Sequence, residues 1–87
     1  MNNCKYIMFN NNLPVLFHCS IAHATVARVT GDVESVTSAG FVTVSVGYEL
    51  TSDDYGNLDV SVYGKSISLG KKSNSQDAYW IKKLLTD

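Results

Sequence analysis

Val42, Val44 and Val46, followed by Leu58, Val60 and Val62, recur at strict two-residue spacing, and this double alternation constrains the fold more than any other feature of the chain. A period of two puts alternate side chains on one side of an extended strand, so each triplet predicts a strand with one face in the core. Tyr48 continues the valine face, while Phe41, Thr43 and Ser45 share the other, mostly wet, side. Glu49 to Asn57 is polar, and Asp53-Asp54-Tyr55-Gly56-Asn57 supplies the residues an exposed hairpin loop prefers. Beyond Gly64 the apolar residues Ile67 and Leu69 fall at odd positions. That slip of phase predicts a β-bulge, with Gly64 as the residue that accepts a positive φ.

The first half of the chain predicts a second hairpin. Lys5 to Phe9 is apolar on both sides, Asn10-Asn11-Asn12 is a turn signal because Asn tolerates positive φ, and Leu13 to His18 is another apolar run. The two strands read as covered on both faces, with Pro14 at a strand start or on an edge, where its missing N–H does no harm. Pairing them about a two-residue Asn11-Asn12 turn sets Cys4 opposite Cys19. Ser20 is placed to cap a helix through about Val29, with Ile21, Ala24, Ala27 and Arg28 as its inward stripe and Gly31 as its stop. Asp32 to Thr37 is either a loop or the start of the next strand. A last helix from about Ser75 to Thr86 repeats Ala78, Ile81, Leu84 and Leu85 at spacings of three and four, and Ser73 and Gln76 have capping-box spacing ahead of it.

The resulting order is β-β-α-β-β-α. It predicts an α+β domain: an antiparallel sheet of about four strands with two helices packed on one face, burying their apolar stripes. Such a sheet leaves an open edge, and that edge is where a homodimer would form.

Composition sets the limits of function. With 87 residues the chain is a single domain, and a domain near this size buries only about 60% of its unfolded surface, so nearly every apolar segment must join one core. No apolar run approaches the roughly 18 residues of a membrane span, and Met1-Asn2-Asn3-Cys4-Lys5-Tyr6 lacks the features of a secretory signal. The expectation is a cytoplasmic protein, without a membrane partner and with reduced thiols. The net charge of −1 is unevenly spread. Residues 1–62 carry Lys5 and Arg28 against six carboxylates, whereas residues 63–87 carry Lys65, Lys71, Lys72, Lys82 and Lys83 against Asp77 and Asp87.

No motif for chemistry survives inspection. Cys4, His18, Cys19 and His23 cluster early, but adjacent His18 and Cys19 would point to opposite faces of a strand, and no Cys-x2–4-Cys pair exists, so no metal is expected. Gly64-Lys65-Ser66 has the last letters of a phosphate-binding P-loop, yet Asp59 stands where the earlier glycine is needed and a strand continues where a helix should begin. No serine lies in Gly-x-Ser-x-Gly, and nothing local orients His23, which reads as structural or solvent-exposed. Asp53, Asp54 and Asp59 lack the pattern of a calcium loop. The expectation is a protein that is not an enzyme and needs no cofactor.

Tyr63, Lys65, Lys71, Lys72, Tyr79 and Trp80 are the candidate binding residues, because lysines interleaved with aromatics can track phosphates while rings stack on bases. Solvation alone accounts for Lys82 and Lys83 on the outer face of the final helix, and Trp80, at the edge of the apolar stripe, is placed to seal the core or to anchor a partner. Binding to a protein partner is therefore the leading expectation and nucleic acid the alternative. A small-ligand site between helices and sheet, with His23 and Ser66 as candidates, is the third.

Several segments together carry a resemblance: Lys5-Tyr6-Ile7-Met8-Phe9, Leu13-Pro14-Val15-Leu16-Phe17, Ile21-Ala22-His23, Ser38-Ala39-Gly40-Phe41-Val42, Tyr63-Gly64-Lys65-Ser66-Ile67-Ser68-Leu69-Gly70 and Asp77-Ala78. Over nearly its whole length the chain is similar to a family of short uncharacterised proteins encoded in bacteriophage and prophage genomes. The resemblance implies an accessory protein working inside a bacterial host, of a kind that commonly binds host or phage proteins, including defence components. It assigns no catalytic or ligand-binding residue.

Overall fold

The run Tyr6-Ile7-Met8-Phe9 has no polar side to offer to water, and it becomes the middle of the molecule. In the computed structural model, which describes residues 2–46 and 58–86, it lies in β1, Asn2–Phe9, where Tyr6, Ile7 and Met8 have no exposed surface. β2, Leu13–His18, pairs antiparallel with one side of β1, and β3, Val36–Val46, with the other. β4, Leu58–Tyr63, pairs antiparallel with β3, which gives the order β2-β1-β3-β4. Two helices, α1 at His23–Thr30 and α2 at Asp77–Thr86, complete an α+β fold built on a four-stranded antiparallel sheet, as the alternating patterns predict. The predicted polar loop from Glu49 to Asn57, with Asp53 and Asp54, and the Tyr48 continuation of β3 lie outside the described residues.

The helices lie on opposite faces rather than together on one. Ile7, Phe9, Val15, Phe17 and Ala39 turn to the side where Val26 and Ala27 of α1 meet them. Tyr6, Met8, Leu16, Val42, Val60 and Val62 turn to the side where Trp80 and Ile81 of α2 meet them. β1 itself is the reason. Its successive side chains point to opposite faces, so two helices on one face would leave either Tyr6 and Met8 or Ile7 and Phe9 in water. At about 1.5–3 kcal/mol for each large apolar side chain, that loss would be a large part of the roughly 5–15 kcal/mol by which a domain is stable.

Turn chemistry moves the register of the first hairpin by one residue. Asn10 and Asn11 take positive φ, 55° and 65°, and the Asn12 N–H donates to the Phe9 carbonyl at 3.2 Å, so the reversal is a three-residue loop, Asn10 to Asn12, in place of the predicted two-residue Asn11-Asn12 turn. Phe9 then opposes Leu13, and Cys4 opposes His18 instead of Cys19. Both cysteines are free, and Cys19 is exposed beyond the end of β2.

The predicted phase slip at Gly64 is a break, not a bulge. Gly64, at φ 77°, ends β4 and turns the chain into a separate two-stranded ribbon of β5, Lys65–Ser66, and β6, Lys71–Lys72. Leu69 in the ribbon's turn packs against the α1 side of the core. The irregularity within the main sheet lies instead in β3, where Phe9 pairs with Val36 while Met8 pairs with Ser38. Thr37, left between those two pairs, donates through Oγ1 to the Met8 carbonyl at 3.2 Å and accepts from the Asn11 N–H at 3.0 Å.

Helix ends also differ from the sequence reading. Ser20 does not cap α1: its hydroxyl lies 2.7 Å from His18 Nδ1, and the helix starts two residues after Ile21 with Ala22 as an N-cap that makes no side-chain bond. Arg28 and Ile21 are exposed, and His23 and Ala27 are the inward residues. At α2 the capping box is one residue later than Ser73 and Gln76. Asn74 Oδ1 accepts from the Gln76 N–H at 3.0 Å, and Asp77 reaches back to the Asn74 N–H at 3.2 Å, the reciprocal pattern that satisfies two of a helix's unpaired donors.

Candidate functional site

His23 is the first residue of α1, so its side chain leaves the helix toward the sheet. Its Nε2 lies 2.9 Å from the Gly40 carbonyl oxygen. A carbonyl only accepts, so Nε2 carries a proton, and in the neutral ring Nδ1 is the bare nitrogen. Phe17 and Phe41 meet the ring edge-on, with centroids 5.4 and 5.9 Å away. Burial lowers the imidazole's pKa from its ordinary 6.5 and the nearby Lys5 ammonium lowers it further, against the opposing effect of the Gly40 hydrogen bond. The histidine is thus a buried structural residue rather than an exposed one.

Beside it is a cleft of about 460 Å³ between the sheet and the ribbon. Lys5 and Phe41 of the sheet, His23 of α1 and the Gly64–Ser68 segment line it, and no carboxylate does. Gly64 has to be glycine here, since a Cβ on it would stand 2.8 Å from Phe41 Cδ2. Ser66, only 2% exposed, accepts from the Leu69 N–H at 3.2 Å and has its Oγ 3.3 Å from Ser68 Oγ. His23 and Ser66, 43 residues apart in sequence by their numbers, therefore reach one cavity. Lys5, on its floor, had no local signal: its one visible role in the sequence is that of the sole cation in β1, and its Nζ donates to the Ile21 carbonyl at 2.9 Å.

The predicted binding residues divide into two groups. Lys65 and Lys72 are cross-strand partners in the ribbon, with Lys71 opposite Ser66, and the three lysines line a second cavity of about 440 Å³ that also lacks carboxylates. Tyr63 stacks on Phe41, with centroids 5.7 Å apart. Tyr79 and Trp80 belong to α2, where their rings meet edge to face at 5.1 Å. Tyr79 lines a cavity with Lys82 and Lys83. Trp80 is half-buried against the core, has the Lys83 ammonium 6.0 Å from its ring centre, and shares a small cavity of about 190 Å³ with Leu13, Pro14, Lys83 and Leu84. Leu13, Tyr79 and Leu84 are 58, 62 and 50% exposed.

A buried polar cluster on the α2 side passed unnoticed in the sequence. Asp77 Oδ2 accepts from the Tyr6 hydroxyl at 2.5 Å, the Ser38 hydroxyl at 2.6 Å and the Asn74 N–H at 3.2 Å. Burial, the hydrogen bond to Asp77 and its charge together push the Tyr6 phenol well above its ordinary pKa, so it stays a donor. All four groups satisfy one another, which makes the cluster a fastening for α2.

Among the described residues no three His, Cys, Asp or Glu side chains come together as metal ligands. No helix among them is long and apolar enough to cross a membrane. Comparison with protein-family models, with curated proteins and with solved structures finds no match.

Proposed function

We propose that this is a non-enzymatic binding protein whose α2 surface takes an apolar, acidic segment of a protein partner. The observation that supports the reading is a continuous strip: Leu13 and Leu84 open around the Trp80 cavity, Lys83 lines both that cavity and the neighbouring one, and Tyr79 and Lys82 extend it along the helix. Isolated exposed apolar residues need no explanation, but a contiguous patch rimmed by cations fits a partner with matching apolar side chains and carboxylates. A half-buried tryptophan held by the core suits the role of anchor, because its ring is already fixed before binding. The resemblance to short bacteriophage and prophage proteins supports a bacterial, cytoplasmic setting and a host or phage protein as the partner. A nucleic-acid track would run over both lysine groups, yet ribbon and α2 lysines line separate cavities, so we place the protein partner first.

Affinity capture from the bacterial host compared between the native chain and Leu84→Asp tests this reading. We expect one protein enriched by the native chain and lost with the variant while the fold is kept; equal capture by both would remove the α2 surface from the account.

A further inference from the structure

We propose that the cleft between α1 and the β5–β6 ribbon is a binding site for a small phosphate-bearing anion, a function separate from the α2 surface. The cavity is rich in donors and has no acceptor of opposite charge. Lys65 brings an ammonium with three N–H groups, and Lys5 brings one of which the Ile21 carbonyl takes a single N–H. Ser66 and Ser68 add two hydroxyls 3.3 Å apart, and Ser68, which is exposed, has its hydroxyl free to turn to a ligand in the cleft. The ribbon itself breaks a rule of sheet pairing. Lys65 and Lys72 are like charges directly opposite each other, Lys71 is next to them, and among the described residues no carboxylate forms an ion pair with any of the three. All three ammonium groups are exposed, so they form a positive patch whose mutual repulsion a bound anion would relieve. Lys65, Ser66 and Ile67 line both the cleft and the neighbouring cavity that Lys71 and Lys72 also line, so β5 is common to the two. Phosphate groups fit this donor set, since each offers several charged oxygens to ammonium and hydroxyl groups at once.

The test is a titration of the full chain with pyrophosphate, followed by amide NMR shifts, with ATP as a second arm and a single-stranded DNA 12-mer as a third. Saturable pyrophosphate shifts confined to Gly64–Ser68, Lys72, His23 and Phe41 are expected, with Lys65→Ala weakening the affinity about tenfold or more and Arg28→Ala, an exposed cation on α1, leaving it unchanged. Tighter binding of ATP, with added shifts at Phe41, identifies a nucleotide as the source of the phosphate; equal binding identifies the free anion. No saturation up to about 10 mM pyrophosphate overturns the proposal. So does DNA binding that moves ribbon and α2 residues together and that pyrophosphate does not displace.

Discussion

The Tyr6 hydroxyl donates to Asp77 Oδ2 across 2.5 Å, joining the central strand to the first turn of the last helix between residues 71 positions apart. With Ser38 and the Asn74 N–H on the same oxygen, the bond fixes where α2 begins as well as where it lies. Tyr6→Phe removes one hydrogen bond to a charged group and should cost about 2 kcal/mol. Asp77→Ala strands two buried hydroxyls and should cost about 4 kcal/mol. Urea unfolding of both single variants and the double variant measures their coupling, expected at about 1–2 kcal/mol.

Stability should fall on acidification through His23. Its folded-state pKa lies below the ordinary 6.5, so the unfolded chain binds the proton more readily and the native state loses stability as pH falls below about 6.5. Above that value the ring is neutral in both states and contributes no pH slope. Unfolding midpoints at pH 7.5 and 5.5 should differ for the native chain and converge for His23→Gln, which keeps a donor for the Gly40 carbonyl without the titrating ring.

Three glycines should rank by what surrounds them. A Cβ at Gly40 would stand 2.6 Å from the Tyr63 carbonyl oxygen, a backbone atom that cannot swing away. At Gly64 the obstacle is the Phe41 ring, added to a φ of 77°, whereas Gly70, at φ 66°, has open space. Thermal unfolding should show Gly70→Ala costing about 1 kcal/mol, from the left-handed conformation alone, Gly64→Ala more, and Gly40→Ala the most.

Both cysteines should react with a thiol reagent. Cys19 is exposed and Cys4 half-buried, so a thiol reagent should label Cys19 first, and the second thiol should appear with local opening or unfolding. A Cys4–Cys19 bond in the purified, air-exposed protein would contradict the His18 register.

The alternating patterns of β3 and β4 were legible because Val42, Val44, Val60 and Val62 all turn to the side that α2 covers, and a period of two survives whatever covers it. The two-sided apolar run of β1 already implied cover on both faces, which the expectation of helices on one face did not respect. The register of the first hairpin was not legible, since three consecutive asparagines allow the turn at more than one place and the backbone conformations of Asn10 and Asn11 decide it. The cleft was half legible. The sequence alone names His23 and Ser66 as candidates for a small-ligand site, while Lys5 and the Tyr6–Ser38–Asp77 cluster depend on contacts between distant segments that leave no local period.

Site-resolved photo-crosslinking reads the α2 surface position by position. A photoreactive residue in place of Leu84, on the strip, is compared with one in place of Val29, which is 80% exposed on α1 at the opposite face. In host cells a single protein adduct should form from position 84, be absent from position 29 and be abolished by Lys83→Glu. The same adducts from both positions, or none from position 84, would contradict binding of the partner at α2.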